Sequence, residues 1–123
     1  MHYQEPPFTE EKLIRCIAGS VMDFVIDIRK DSPTFLKSVS FELNADNKCM
    51  LLVPKGLAHG FQTLANDTEI IYHHTGLYKP ESDRGINYAD PMIHIKLPLP
   101  ITVISDKDKS YPMLINNFSG ISI

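Results

Sequence analysis

Hydrophobic and polar residues alternate along much of this chain. The clearest stretch is 21–29, where Met22, Phe24, Ile26 and Ile28 share one face and the residues between them share the other. A repeat of two is the period of a β-strand, because successive side chains point to opposite faces. Similar runs predict further strands at residues 12–18, 35–43, 48–53, around His59, and at 68–75, 93–97 and 101–104.

Turn-forming residues separate these runs. Nine prolines and six glycines are spread along the 123 residues, and no stretch has the spacing of a convincing helix. Seven or eight short strands at a spacing of roughly ten residues are typical of all-β folds. We therefore predict a single all-β domain over residues 1–123, built as a β-sandwich, barrel or jelly roll.

Two carboxylates interrupt a largely apolar face of the most clearly alternating strand. Asp23 and Asp27 lie on that face beside Val21 and Val25, and an isolated charge is costly to bury. One interpretation has Asp27 and Arg29 solvated and Asp23 exposed at a sheet edge. The other has this face lining a polar cavity.

A turn precedes His59. Pro54 cannot donate to a strand ladder and Gly56 accepts positive φ, so the chain turns there and then re-enters a sheet. His59 follows between Ala58 and Gly60, which leave room around its ring. Taken alone, a half-buried histidine with satisfied hydrogen bonds and a functional histidine are both open interpretations.

The formal net charge is −3, which argues against nucleic-acid binding because no basic surface would neutralise phosphates. Apolar runs stay shorter than the roughly 18 residues needed to span a bilayer, and the N-terminal residues lack a signal-peptide pattern. Cys16 and Cys49 lie in strand-like runs without metal-ligand spacing. We predict buried free thiols in a cytoplasmic protein, without nucleic-acid or membrane partners.

Five histidines raise the question of a metal site. Zinc and iron sites need clustered ligands, but His73 and His74 are adjacent and so point to opposite faces of a strand. His59 has no histidine two positions away. The chain also contains no nucleophile elbow, phosphate loop or dinucleotide fingerprint. We predict no metal, and acid–base chemistry by histidine, tyrosine, lysine and aspartate is what remains.

A series of short motifs then follows one order and spacing through the chain. They are His2-Tyr3-Gln4, Pro6-Pro7, Lys12-Leu13, Gly19-Ser20-Val21-Met22-Asp23, Val25-Ile26-Asp27-Ile28-Arg29, Ser32-Pro33-Thr34-Phe35, Gly56-Leu57-Ala58-His59-Gly60-Phe61, Tyr72, Tyr78-Lys79-Pro80-Glu81, Arg84-Gly85-Ile86, Asp90-Pro91 and Ser105-Asp106-Lys107-Asp108. Over residues 2–113 the chain resembles the dTDP-4-dehydrorhamnose 3,5-epimerase family. The resemblance implies a cupin-type jelly roll and an epimerase of nucleotide-linked 4-keto-6-deoxyhexoses that needs no cofactor.

The resemblance also implies four catalytic roles. His2 matches the base that removes a proton next to the C4 ketone, and Asp108 matches the carboxylate that pairs with it, on its far ring nitrogen. Lys12 matches the cation near the ketone oxygen, and Tyr72 the acid that reprotonates the opposite face. These residue types suit the chemistry, because a carbon acid needs a base of near-neutral pKa and an enolate needs a cation or donor at its oxygen.

Five further positions are candidates for substrate binding. By the resemblance, His59 and Tyr78 match positions that line the sugar pocket, and Asp23 matches an inward-facing acidic position. Arg15 and Arg84 are candidates for contact with the nucleotide phosphates, and surface charge is the alternative interpretation for both.

The chain departs from the family before the catalytic histidine, where members carry a long segment that supplies dimer strands and phosphate contacts. Here His2 directly follows Met1, so we expect a short member with altered nucleotide affinity and with His2 on a fraying terminus. We expect a homodimer, because open sheet edges favour pairing. Inversion at C3, C5 or both, and a dTDP or CDP nucleotide, are open. The alternative function is a catalytically weak cupin that binds a sugar nucleotide.

Overall fold

The structure is a computed structural model that describes residues 1–114 and 117–123. Its strands are β1 (His2–Gln4), β2 (Lys12–Ala18), β3 (Ser20–Asp27), β4 (Ser38–Asn44), β5 (Met50–Val53), β6 (Leu57–Thr63), β7 (Glu69–His74) and β8 (Asp83–Gly85). A 3-10 turn covers Pro80–Ser82, and a short helix, α1, covers Asp106–Ser110. Within the described residues, no helix is long and apolar enough to cross a membrane.

Two antiparallel sheets pack face to face. One has five strands in the order β4-β3-β6-β1-β8, and the other has three in the order β5-β2-β7. Apolar side chains of both sheets meet between them, including Ile14 of β2, Val21 and Val25 of β3, and Val53 of β5. The all-β sandwich predicted from the alternation is confirmed.

The chain around β3 is buried on both faces. Val21 and Val25 pack toward the three-stranded sheet. Phe24 and Ile26 pack on the opposite side, where the C-terminal part of the chain covers the five-stranded sheet with residues such as Ile93. The predicted alternation is therefore correct, but it separates two buried faces rather than a core face from a solvent face.

Most of the predicted strands are present, with ends shifted by a few residues. The strand predicted at 12–18 coincides with β2, and the other predictions that are confirmed correspond to β3, β4, β5, β6 and β7. No strand was predicted at β8, and α1 was not predicted. Both are short elements that carry few apolar residues to mark them.

The strands predicted at 93–97 and 101–104 are wrong, because both segments are irregular. Pro98 and Pro100 stand between them and remove backbone donors from any ladder. His94 has φ of 49°, a left-handed conformation that interrupts an extended run. Part of the segment packs instead against the apolar cluster of Phe24 and Ile26 through Ile95 and Leu97.

Asp27 is buried, and residues that follow it in the chain donate hydrogen bonds to its carboxylate. Its carboxylate accepts from the backbone N, Nε and Nη2 of Arg29 at 3.0, 2.9 and 2.7 Å, and from the hydroxyls of Ser32 and Thr34. These bonds, led by that from Arg29, hold the pKa of Asp27 well below its usual range. The interpretation of Asp27 as a solvated residue is therefore wrong.

The two cysteines differ in their surroundings. Cys16 is buried on β2, as predicted, whereas Cys49 is exposed. Cys49 follows the turn that leads into β5, and its backbone N–H donates to the Asn47 side chain. The prediction of a buried thiol is wrong for Cys49, because the strand begins one residue later.

β1 is an interior strand of its sheet. His2 pairs with His59 of β6 on one side and with Gly85 of β8 on the other. Met1 is 7% exposed, and its nitrogen donates to the Ile86 carbonyl at 3.0 Å. The expectation that His2 would fray is therefore wrong, because hydrogen bonds hold the strand along both edges.

Candidate active site

A cavity of about 1100 Å³ opens between the two sheets. Side chains of β1, β2, β6 and β7 line it, together with the segment 95–105 and part of α1. Six of the predicted site residues are among those that line it, namely His2, Lys12, His59, Tyr72, Tyr78 and Asp108.

His2 and Asp108 form a pair at the cavity wall. Asp108 Oδ1 lies 2.7 Å from His2 Nε2. Ser105 caps α1 and anchors the carboxylate, because its hydroxyl accepts from the Asp108 backbone N–H at 3.0 Å and donates to Oδ2 at 2.6 Å. Burial raises the pKa of Asp108, but the bonds from Ser105 and His2 outweigh it, so its pKa lies below its usual value.

The second ring nitrogen of His2 contacts Tyr111, a residue that was not predicted from the sequence. The Tyr111 hydroxyl lies 3.4 Å from His2 Nδ1, and the two rings pack edge to face with centroids 5.3 Å apart. The Tyr111 ring lies directly over Gly85 of β8, where a Cβ would be 2.2 Å from Cζ. Burial and the positive Met1 amine lower the pKa of His2, against the opposing effect of Asp108. The lowered pKa favours the uncharged imidazole near neutral pH, and an uncharged imidazole is able to accept a proton.

Lys12 and Tyr72 enter the cavity from the three-stranded sheet. Lys12 is 8% exposed, and burial lowers its pKa while Glu10, Asp83 and Asp23 oppose that shift. Burial, with Asp23 as a further cause, raises the pKa of Tyr72 far above its usual value. One wall of the cavity thus presents an ammonium group and a phenol that keeps its proton.

Asp23 and His59 form a second carboxylate–imidazole pair. Asp23 is fully buried, and its Oδ2 lies 2.8 Å from His59 Nε2. The His59 ring meets Tyr72 edge to face, with centroids 6.0 Å apart. Asp23 thus lies behind the cavity wall, in contact with His59, and its interpretation as an exposed edge residue is wrong.

The remaining predicted positions are spread more widely. Tyr78 donates from its hydroxyl to Asp83 Oδ2 at 3.0 Å, and Lys107 forms an ion pair with the same carboxylate. Arg84 binds Glu5 at 3.0 Å and lies outside the cavity lining of the described residues. Arg15 also lies outside that lining, because odd-numbered side chains of β2 point away from the buried Lys12 and Ile14.

A family model described as dTDP-4-dehydrorhamnose 3,5-epimerase matches residues 1–116. Curated proteins of that name include one from Shigella flexneri, 44% identical over 108 residues (88% of this chain and 60% of that protein). Another, from Sinorhizobium fredii, is 47% identical over 115 residues (93% and 59%). The chain belongs to this family. It spans about 60% of the length of these relatives.

Solved structures of epimerases superpose closely on the chain. The Bacillus anthracis dTDP-4-dehydrorhamnose 3,5-epimerase with TDP and PPi bound gives a TM-score of 0.89 at 41% identity, over 92% of this chain and 65% of that one. A Legionella pneumophila dTDP-6-deoxy-D-glucose-3,5-epimerase in complex with dTDP-4-keto-L-rhamnose gives 0.90 at 38% identity, over 99% and 66%. The family and the cupin-type sandwich expected from the resemblance are confirmed.

Four residues that line this cavity or contact its wall were not identified by the sequence analysis. They are Glu10, His74, Asp83 and Tyr111. Strand parity was a usable signal for two of them, because Glu10 is two residues before Lys12 and His74 is two residues after Tyr72. Asp83 and Tyr111 carry no such signal, since each reaches the site from a segment far away in sequence.

A metal site would need a cluster of histidine, cysteine or carboxylate ligands. Within residues 1–114 and 117–123, no group of three or more histidine, cysteine, aspartate or glutamate side chains is arranged to hold a metal ion. The carboxylates of the cavity instead pair with histidine or lysine side chains, as in the pairs of Asp108 with His2 and of Asp83 with Lys107.

Proposed function

We propose that this chain is an epimerase that inverts C3, C5 or both of a nucleotide-linked 4-keto-6-deoxyhexose. The observation that carries the proposal is that the His2–Asp108 pair, buried Lys12 and half-buried Tyr72 all line one cavity. Family membership supports the same reaction class. A base, an enolate-stabilising cation and a separate acid are the three groups that epimerisation next to a ketone requires.

His2 is the base in this proposal. The pKa of Asp108 lies below its usual value, so Asp108 is ionised and accepts the proton on His2 Nε2. That tautomer leaves the lone pair on Nδ1, which is the atom that takes the proton from the carbon next to the ketone. The weak 3.4 Å contact with the Tyr111 hydroxyl has to give way first. Asp108 then stabilises the imidazolium.

Lys12 and Tyr72 complete the proton transfers. The Lys12 ammonium stabilises the negative charge that develops on the ketone oxygen, and its burial strengthens that interaction. Tyr72 keeps its proton because burial raises its pKa, so it is able to deliver that proton to the enolate. Delivery to the face opposite His2 inverts the carbon.

For the nucleotide part of the substrate, we propose dTDP. The names of the two solved relatives specify TDP and dTDP-4-keto-L-rhamnose as their bound ligands. His59 and Tyr78 lie in the cavity lining and are proposed to contact the sugar. Phosphate binding by Arg15 and Arg84, and a role for Asp23 through His59, stay predictions. The product would enter surface polysaccharide such as O-antigen.

We also propose a homodimer. The outer face of the three-stranded sheet carries Ile17, Met50, Leu52 and Ile71, which are 42%, 47%, 56% and 41% exposed. Contiguous exposed apolar side chains commonly mark protein–protein contacts. Light scattering over a range of concentrations should give a dimer mass, whereas a monomer mass throughout would refute the proposal.

A cytoplasmic location is proposed on two grounds. Cys16 and Cys49 are both free thiols, which is typical of proteins from reducing compartments. Nucleotide-activated sugars as substrates fit the same location. The net charge of −3 supports the expectation that nucleic acid is not a partner.

Proton exchange in D₂O tests the epimerase proposal. dTDP- and CDP-4-keto-6-deoxyglucose are mixed with the protein, and the C3 and C5 proton signals are followed by NMR. We expect signal loss, and the signal that disappears identifies the inverted carbon. His2→Asn should abolish exchange. The matched control is His73→Asn, because His73 lies on the face of β7 opposite Tyr72. This variant should exchange at the wild-type rate.

Two other results would each count against the proposal. Binding of either nucleotide sugar without exchange would favour the alternative, a cupin that binds a sugar nucleotide without converting it. Full exchange by His2→Asn would show that the base is a different residue.

A further inference from the structure

A third carboxylate–imidazole pair, formed by Glu10 and His74, lines the cavity and has no part in the proton transfers described above. Glu10 Oε2 lies 3.1 Å from His74 Nδ1, and Glu10 Oε1 lies 3.8 Å from Lys12 Nζ. The Glu10 side chain is 8% exposed. All three residues line the cavity, so the carboxylate lies beside the cation that is proposed to meet the ketone oxygen.

The position of Glu10 is well defined by the surrounding backbone. Lys12 is directly opposite His74 in the β2–β7 pairing. Just beyond it, the Glu11 carbonyl accepts from the Thr75 N–H at 3.1 Å, and the Glu11 N–H donates to the Thr75 hydroxyl at 2.9 Å. Glu10 lies two residues before β2 and directly precedes Glu11, whose backbone is hydrogen-bonded to Thr75 just after β7.

One oxygen of this carboxylate is available to a ligand. Oε2 contacts His74. In the part of the chain that the structure describes, the contact of Oε1 is with Lys12 Nζ at 3.8 Å, and that distance is too long for a hydrogen bond. A carboxylate oxygen that lines a cavity accepts hydrogen bonds from donors that reach it. A sugar hydroxyl entering the cavity would supply one.

The chemistry of the substrate decides which hydroxyl this is. A C4 ketone in a 6-deoxyhexose has two different neighbours, since C3 carries a hydroxyl and C5 carries the C6 methyl group. A carboxylate gains a hydrogen bond from the hydroxyl, whereas a methyl group would leave it desolvated and unpaired. With the ketone oxygen at Lys12, the adjacent Glu10 therefore favours the C3 side.

We propose that Glu10, oriented by His74, binds the C3 hydroxyl of the sugar and so determines which way round the 4-keto sugar lies in the cavity. This inference rests on the proposed function, because it takes the ketone oxygen to lie at Lys12. It makes the chain selective for 4-keto sugars with a free hydroxyl at C3, and it assigns Glu10 as a substrate-binding residue.

Binding measurements on a matched pair of ligands test the inference. Calorimetry compares dTDP-4-keto-6-deoxyglucose with dTDP-4-keto-3,6-dideoxyglucose, which lacks the C3 hydroxyl. A hydrogen bond to a charged acceptor corresponds to roughly a 10- to 100-fold change in Kd, so the wild-type protein should bind the dideoxy ligand weaker by about that factor. Glu10→Ala should bind both ligands alike, and the isosteric Glu10→Gln should show intermediate selectivity.

Glu11→Ala is the matched control, because it removes a neighbouring carboxylate that lies outside the cavity lining. It should keep the wild-type selectivity. Unchanged selectivity in Glu10→Ala and Glu10→Gln, or its absence in the wild-type protein, would overturn the role of Glu10 while leaving the epimerase proposal intact. Failure of the wild-type protein to bind either ligand would overturn both proposals together.

Discussion

The contact between Gly85 and Tyr111 provides a direct test of how His2 is positioned. A Cβ on Gly85 would lie 2.2 Å from Cζ of Tyr111 and within 2.5 Å of both adjacent ring carbons. Ordinary contact begins at 3.4 Å, so Gly85→Ala would require the ring or the strand to shift by about 1.2 Å. The same ring packs against the His2 imidazole, so the displacement reaches the base.

Two effects of Gly85→Ala are expected. Overpacking of this kind costs about 1–3 kcal/mol of unfolding free energy. Misplacement of a catalytic group by about 1 Å can reduce the rate on the order of 100-fold, so proton exchange should fall by roughly 10- to 100-fold. Gly85 does not have a left-handed backbone conformation, so the effect of the alanine is steric.

The assay combines urea unfolding with proton exchange in D₂O. Gly85→Ala, Tyr111→Ala and the double variant form a cycle, in which removal of the ring should relieve the clash and give a coupling of about 1 kcal/mol or more. Tyr111→Phe keeps the ring and isolates the hydroxyl contact. Wild-type stability and exchange in Gly85→Ala, or additive effects in the cycle, would refute the positioning of His2 by Tyr111.

Three further predictions concern other parts of the molecule. Asp108 opposes the lowering of the pKa of His2, so Asp108→Asn should move the acid limb of the kcat/KM profile to lower pH and reduce the plateau; a move to higher pH would contradict the pairing. Tyr72→Phe should still exchange the C–H proton but return deuterium to the same face, and inversion at the wild-type rate would exclude Tyr72 as the acid. Asp27→Asn should lower the unfolding free energy by about 2–4 kcal/mol near neutral pH. Because the folded state depresses the pKa of Asp27, wild type should lose this advantage as the pH falls below about 4, and a difference that is independent of pH would contradict the assignment.

The strands were predictable where alternation and turn residues agree. β2 was predicted with its observed ends, and β3 was identified by its strict alternation. The same signal failed in segments 93–97 and 101–104. Their apolar residues cover a sheet and so resemble the residues of a strand, but the prolines between the segments cannot donate the hydrogen bonds that a strand needs. Burial was less predictable still. Leu43 is 2% exposed, but Phe41 and Val39 on the same face of edge strand β4 are 45% and 53% exposed.

The candidate site was predictable mainly through motifs that resemble a family. His2, Lys12, Tyr72 and Asp108 were chosen in that way, and the structure brings all four to one cavity. Strand parity places His74 on the same face as Tyr72, but parity does not reveal that Glu10 would lie 3.1 Å from it. That distance depends on the register between β2 and β7, which two separated segments acquire only when they pair.

Local sequence is therefore enough to establish most of the strands, the parity of their side chains and the family of this chain, because these properties depend on neighbouring residues and on motifs read in order. The partners of the charged groups come from folding. Asp108 reaches His2 across 106 positions, and Tyr111 reaches the same imidazole across 109. Such pairs also set the pKa values of the cavity, since burial and contacts between distant residues cause those shifts.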